Sequence, residues 1–213
     1  MRYRLTGWLQ SLEVHQLCFE LIPELYLDSE QVPHHHVIFT IPKMLRAYFR
    51  YDRSLLNDLS RAANRTILIY LRILLGDEIH PGLVVARHTF GEGARFHPHL
   101  HAIVTGGGWD TDHNWHAVFG WGRPALRELF QIEVFRFLRE RELLSAERVE
   151  LIRSWRHSGF DVYSGAAIEP GNRQMLGHIA RYLIHIPDVR ERQVTYYGCL
   201  CQCFPVPAAE EEV

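Results

Sequence analysis

The chain has 213 residues, of which 47% are hydrophobic and 23% charged, values that describe an ordinary globular protein of about one domain. No apolar run reaches the ~20 residues of a membrane span, and no signal-peptide core follows Arg2 and Arg4, so the sequence reads as cytoplasmic. A net charge of -2 argues against a surface that binds nucleic acid everywhere, and four cysteines without a Cys-x-x-Cys pair argue against a zinc or disulfide scaffold.

Residues 1–32 are mixed and acidic, with weak helical periodicity from Trp8 to Leu21 and a break at Pro23. Residues 35–41 read as a buried strand stopped by Pro42. A long helix is expected next, capped by Ser54, with apolar positions Leu55, Leu59, Ala62, Ile69 and Ile73 and a stop at Gly76. Between Lys43 and Arg72 stand seven basic residues against Asp52 and Asp58. Such local asymmetry suits a polyanion, and equally a solvated helix face.

Leu83 to Phe90 reads as a second strand, and Gly91-Glu-Gly93 as the turn into a third that ends at Gly106-Gly-Gly108. Trp109, Trp115 and Trp121 follow in a Gly-rich stretch, where they either stack unpaired bases or pack under a loop. Pro124 opens a helix through Leu126, Phe130, Val134, Phe137 and Leu138, and Ser145 opens a shorter one. Trp155 is expected in the core. Phe160 to Ile168 alternates as a strand. Asn172 suits the N-cap of a helix from about Arg173 to His185, and Gln193 to Leu200 is a last short strand. The pattern predicts an α+β fold with a central, mostly antiparallel sheet flanked by helices. The expected divisions are an N-terminal segment at 1–32, a main domain at 33–200, and an acidic tail at 201–213.

The third strand holds the densest chemistry: Arg95-Phe-His-Pro-His-Leu-His-Ala-Ile-Val104. Side chains alternate along a strand, so His97, His99 and His101 share one face and Leu100, Ala102 and Val104 the other. The apolar face can seat on a core while the imidazoles converge on one metal ion, imidazole being a common metal ligand. The bland alternative is a polar strand face. His34 and His36 also share a side of the first strand and could face such a site, although a structural place is the simpler expectation.

The helix near Arg173 carries His178, Tyr182 and His185 at helical spacing. A tyrosine hydroxyl, with an ordinary pKa of ~10, becomes a useful nucleophile when a base or cation assists it and a metal polarises its target. Arg181 beside it could approach a phosphate. Otherwise Tyr182 covers a core edge.

Five blocks together resemble the HUH endonucleases, specifically rolling-circle transposases of the insertion-sequence ninety-one type. They are His36-Val-Ile-Phe-Thr-Ile-Pro-Lys-Met-Leu-Arg46, His88-Thr-Phe-Gly91, Phe96-His-Pro-His-Leu-His-Ala-Ile-Val-Thr105, Trp155-Arg-His-Ser-Gly-Phe-Asp-Val162 and Ile179-Ala-Arg-Tyr182. They occur in the family's order across roughly residues 33–190. The resemblance implies a metal-dependent DNA transposase that nicks and rejoins single-stranded DNA through a 5′-phosphotyrosine in rolling-circle transposition. Tyr182 matches the nucleophile, and His99 and His101 match the paired metal ligands. Mg2+ or Mn2+ is the implied cofactor and single-stranded DNA the implied partner.

Several assignments stay open at this level. His88 is the first candidate for a third ligand, with Glu92 and His185 as alternatives, because one residue of strand register decides which face His88 occupies. His97 shapes the site or meets DNA, and His178 stands where many relatives carry a second tyrosine. Lys43, Arg46, Arg156 and Arg181 are candidate DNA contacts, with His157 beside them. Residues 1–32 hold only Cys18 where the family carries a cysteine-rich zinc segment, which leads to the expectation of an N-terminally truncated copy. Two other readings compete: a histidine-metal hydrolase that does not use Tyr182, and an inactive remnant that only binds DNA.

Overall fold

The computed structural model describes residues 32–91, 95–183 and 194–198, although the side chains of residues 173, 180–183, 194, 196 and 198 are not among the described parts. The expected features at Trp8–Leu21, Cys18, Glu92 and His185 and the acidic tail at 201–213 lie outside the described residues.

Five strands form one sheet in the order β6-β1-β3-β2-β7, antiparallel at every pairing: β1 (His34–Thr40), β2 (Gly82–Phe90), β3 (Phe96–Thr105), β6 (Asp161–Ile168) and β7 (Val194–Gly198). β4 (Gly107–Trp109) and β5 (Trp115–Ala117) form a separate ribbon in the Gly-rich stretch, where the sequence pattern predicts no strand. Gly107 is required there, since a Cβ would stand 2.0 Å from the His116 carbonyl oxygen. Trp109 and Trp115 pair across the ribbon with ring centroids 4.5 Å apart. Trp121 packs against Tyr70 and His35.

One face of the sheet is covered by two long helices. α1 (Arg46–Tyr51) leads into α2 (Leu55–Leu75), and α3 (Arg123–Glu140) lies beside α2. The shared core contains Val37 and Phe39 from β1, Leu83 and Val85 from β2, and Leu100, Ala102 and Val104 from β3. The Phe130 ring of α3 packs tilted against Phe39 at 4.9 Å and edge-on to Phe160 at 6.0 Å between centroids, and a side chain of this size fully buried contributes about 1.5–3 kcal/mol.

The buried stripe of α2 runs through Leu55, Leu59, Ala63, Ile67, Tyr70 and Leu71. It misses the expected Ile73, which is 71% exposed: the helix holds no buried residue after Leu71, so its last turn extends past the core. Ser54 stands at the cap position but its side chain makes no cap bond, and its own N–H donates to Asp52 Oδ1 instead (2.9 Å). Gly76 ends the helix with φ +109°, where a side chain would be strained. α4 (Ala146–Arg153) does have its expected cap, with Ser145 Oγ accepting from Arg148 N–H at 3.3 Å.

Two arginines of the basic segment, Arg61 and Arg65, pair with acids of this helix layer. Buried Asp58 accepts from both Arg61 and Arg141 at 2.7 Å, and buried Glu133 pairs with Arg136 and, at 4.0 Å, with Arg65. These arginines therefore serve helix packing on the side of the sheet away from the histidines.

α5 (Arg173–Leu183) packs against β2 and β3. Its N-cap is Asn172, whose Oδ1 accepts from Met175 N–H at 3.1 Å. Leu176 and Ile179 are buried but stand outside the main core, as do Val84, Ala86 and Ile103. α5 therefore closes the second face of β2 and β3, opposite α2 and α3. That second face carries the histidine row. No described helix is long and apolar enough to cross a membrane.

Candidate metal centre

The site is built by register. Antiparallel pairing sets Thr40, His99 and His88 in one row across β1, β3 and β2, and Ile38, His101 and Ala86 in the next. Alternation puts Leu83 and Val85 into the core, so His88, an odd number of residues further on, must point to the opposite face. Gly91 N–H donates to the Arg95 carbonyl (3.0 Å), closing the hairpin that fixes this register.

The three rings are neighbours. Centroids are 5.3 Å apart for His88 and His99, 4.5 Å for His88 and His101, and 5.0 Å for His99 and His101. One ring nitrogen from each lies within 4.8 Å of the others, which makes this a cluster able to hold a metal ion. Metal–imidazole bonds of ~2.0–2.1 Å put ligand atoms of one ion up to about 4 Å apart, so small ring rotations would close the set. His88 is buried, while His99 and His101 are half-buried.

Hydrogen bonds set the ring chemistry. His99 Nδ1 lies 2.7 Å from the His97 carbonyl oxygen, which can only accept, so Nδ1 carries the proton and Nε2 keeps its lone pair. His101 Nδ1 lies 3.0 Å from His36 Nε2. Burial holds the His36 pKa below its ordinary value.

His97 shares the strand face but stands outside the three-nitrogen cluster. Its ring lies over Gly91, where a Cβ would meet Nδ1 at 3.0 Å. Burial lowers its pKa first, with the nearby Arg46 guanidinium and His99 adding to the effect. Arg46 of the basic segment thus has its charge within reach of the histidine row. Lys43 is exposed in the short turn before α1.

The remaining candidates lie elsewhere. His178 is exposed on α5. Tyr182 and Arg181 lie in α5, the helix that packs against β2 and β3, and their side chains are not described. Arg156 is exposed in an open cleft of about 650 Å³ shared with Arg127, Arg153, His157 and Asp161. Trp155 lines the same cleft and is 42% exposed, which corrects the expected core position. The segment Arg153–Gly159 leads into an edge strand and is exposed except at half-buried Ser158. The cleft lies at the edge of the sheet, between α3 and the segment entering β6, where Asp161 pairs with Thr40 and Thr40 with His99.

His36 is the residue that sequence reasoning undervalued. Alternation from His34 placed it on a definite side of β1, but only the β1–β3 register brings it beside His101.

Residues 82–187 match the family model described as putative transposase. The matched stretch holds His88, His99, His101 and Tyr182. The chain is 40% identical over 83 residues to the transposase for insertion sequence element IS801 of Pseudomonas savastanoi pv. phaseolicola, an alignment covering 39% of this chain and 20% of that protein. It is 35% identical over 82 residues to putative transposase y4qJ of Sinorhizobium fredii, covering 36% of this chain and 20% of that protein. The matched part thus spans about a fifth of each relative. No solved structure matches the chain significantly. Sequence likeness to transposases and a histidine triad able to hold a metal ion therefore fall in the same segment.

Proposed function

We propose that this chain carries the catalytic centre of a metal-dependent transposase that nicks and rejoins single-stranded DNA through Tyr182. The observation that carries the reading is the convergence of His88, His99 and His101 on the sheet face crossed by α5, within the stretch that matches the transposase family.

His88, His99 and His101 would hold the ion, whose contribution is to polarise the scissile phosphate and offset charge developing on its oxygens. The Tyr182 hydroxyl oxygen attacks phosphorus and loses its proton. A bond from phosphorus to the tyrosine oxygen forms as the bond from phosphorus to the 3′ oxygen breaks, and that oxygen leaves as a 3′-hydroxyl after taking a proton. One phosphodiester is exchanged for another, so the reverse attack by a 3′-hydroxyl rejoins strands without ATP. Arg46 beside the histidine row and Arg156 in the adjoining cleft are suited to hold the phosphate backbone, where phosphate contacts position the strand. Of the two ions named by the resemblance, Mn2+ suits an all-imidazole set better, because Mg2+ demands oxygen ligands and keeps its waters.

The test uses a pool of single-stranded oligonucleotides labelled at the 3′ end, incubated with the protein and Mn2+ and separated under denaturing conditions. The expected product is a slow, protease-sensitive labelled band, absent with Tyr182→Phe. Cutting that persists in Tyr182→Phe transfers the reading to a metal-dependent hydrolase. No cutting and no adduct with any of the pool overturns the enzymatic reading.

A further inference from the structure

We propose that His36 is a positioning residue for the metal centre: it accepts a hydrogen bond from His101 Nδ1–H and thereby presents His101 Nε2 to the ion. The inference rests on the reading of His88, His99 and His101 as the ligand set.

The geometry is specific. His36 Nε2 and His101 Nδ1 are 3.0 Å apart, and the two rings stack with centroids 5.2 Å apart and planes 16° from parallel. The residues are on adjacent strands but are not direct partners. His36 pairs with Ile103 and Ile38 with His101, so the contact is a diagonal across the β1–β3 ladder. Diagonal neighbours on one sheet face are within reach of aromatic side chains. His36 is half-buried, so water competes weakly for the bond.

Two imidazoles joined through one hydrogen bond can place the proton on either. The cluster decides between them. His101 can serve the cluster alongside His88 and His99 through Nε2 when Nδ1 carries the proton. Its Nδ1 then donates and His36 Nε2 accepts, with the His36 proton on Nδ1. The same division of labour holds at His99, whose Nδ1–H donates to the His97 carbonyl. Among the described residues, the group whose ligand atoms come within 4.8 Å of one another is His88, His99 and His101, without His36. His36 therefore acts on the ion through His101. Partners of this kind fix the tautomer and ring orientation of a ligating histidine, and their loss typically costs 10–100-fold in metal affinity.

The experiment measures Mn2+ binding by titration calorimetry and, separately, histidine ring nitrogen spectra of the metal-free and Zn2+-loaded protein, with His101→Ala used to assign the His101 signals. The expected results are His101 in the Nδ1–H form in the metal-free protein and a shift at His101 Nε2, not at His36, on adding Zn2+. His36→Ala should bind Mn2+ roughly 10–100-fold more weakly with unchanged circular dichroism. His36→Gln, whose amide oxygen can accept the same bond, should recover most of the affinity. Wild-type affinity in His36→Ala, or a Zn2+ shift at His36 Nε2, overturns the inference and leaves the metal centre standing. Absence of Mn2+ binding by the wild type, unchanged in His99→Ala, overturns the metal centre and this inference together.

Discussion

His88 and His99 are register partners in the β2–β3 ladder, with their rings 5.3 Å apart. The pairing joins two residues eleven apart in sequence at one point on the sheet. A slip of one residue would turn His88 toward the helix layer and remove it from the cluster.

Each imidazole of the cluster is expected to matter for metal binding. His88→Ala, His99→Ala and His101→Ala should each bind Mn2+ more weakly by calorimetry. If the ion contributes several kcal/mol to the transition state, nicking should fall roughly 10³-fold in each. A full rate in His88→Ala with the other two variants inactive would reduce the ligand set to the β3 pair.

The ion itself should be selected by softness. Nicking in Mn2+ is expected to exceed that in Mg2+ at equal concentration, because three imidazole nitrogens replace the oxygen ligands that Mg2+ prefers. Chelation should abolish it, and Mn2+ should restore it. Initial rates against each ion, from below to above saturation, check this ordering.

Neighbours on β3 should separate stability from chemistry. Leu100 is fully buried in the core, so Leu100→Ala should lower unfolding free energy by about 2–5 kcal/mol. His99→Ala, one residue away on the half-buried face, should change stability much less in metal-free buffer while removing metal affinity. Urea unfolding of both variants tests the division of faces.

Acid should destabilise the fold through His34. Burial lowers its pKa to about 4 from an ordinary 6.5, and the side chain is 1% exposed. Between those values the unfolded chain takes up a proton that the folded protein does not. The stability from neutral His34 is therefore complete above about pH 6.5 and is lost as the pH falls toward 4, by at most about 3 kcal/mol. Unfolding curves between pH 7.5 and 4.5 should show this loss, and His34→Leu should reduce it, leaving the share of His35, His36 and His97, whose pKa values burial also lowers.

The cleft beside β6 should contribute charge to strand binding. Arg156→Ala is expected to weaken binding of a single-stranded oligonucleotide and to lower the slope of log affinity against log salt by about 0.7. An unchanged slope would place the strand elsewhere.

The sequence alone determined the local pieces of this protein. Alternation along Phe96–Thr105 fixed which side chains face together, helical spacing fixed the core stripe of α3, and the ordered blocks around His88, His99 and Tyr182 pointed to the transposase likeness. These follow from the two-residue and 3.6-residue periods of the backbone, which need no knowledge of distant residues. The tertiary structure decided what depends on register and on the second layer. It set His88 rather than Arg87 on the histidine face, placed His36 against His101, turned Arg61 and Arg65 of α2 toward Asp58 and Glu133, and left Trp155 in an open cleft. Pairing energy is nearly the same for adjacent registers along one strand. Only the packing of a whole face against its helices chooses among them.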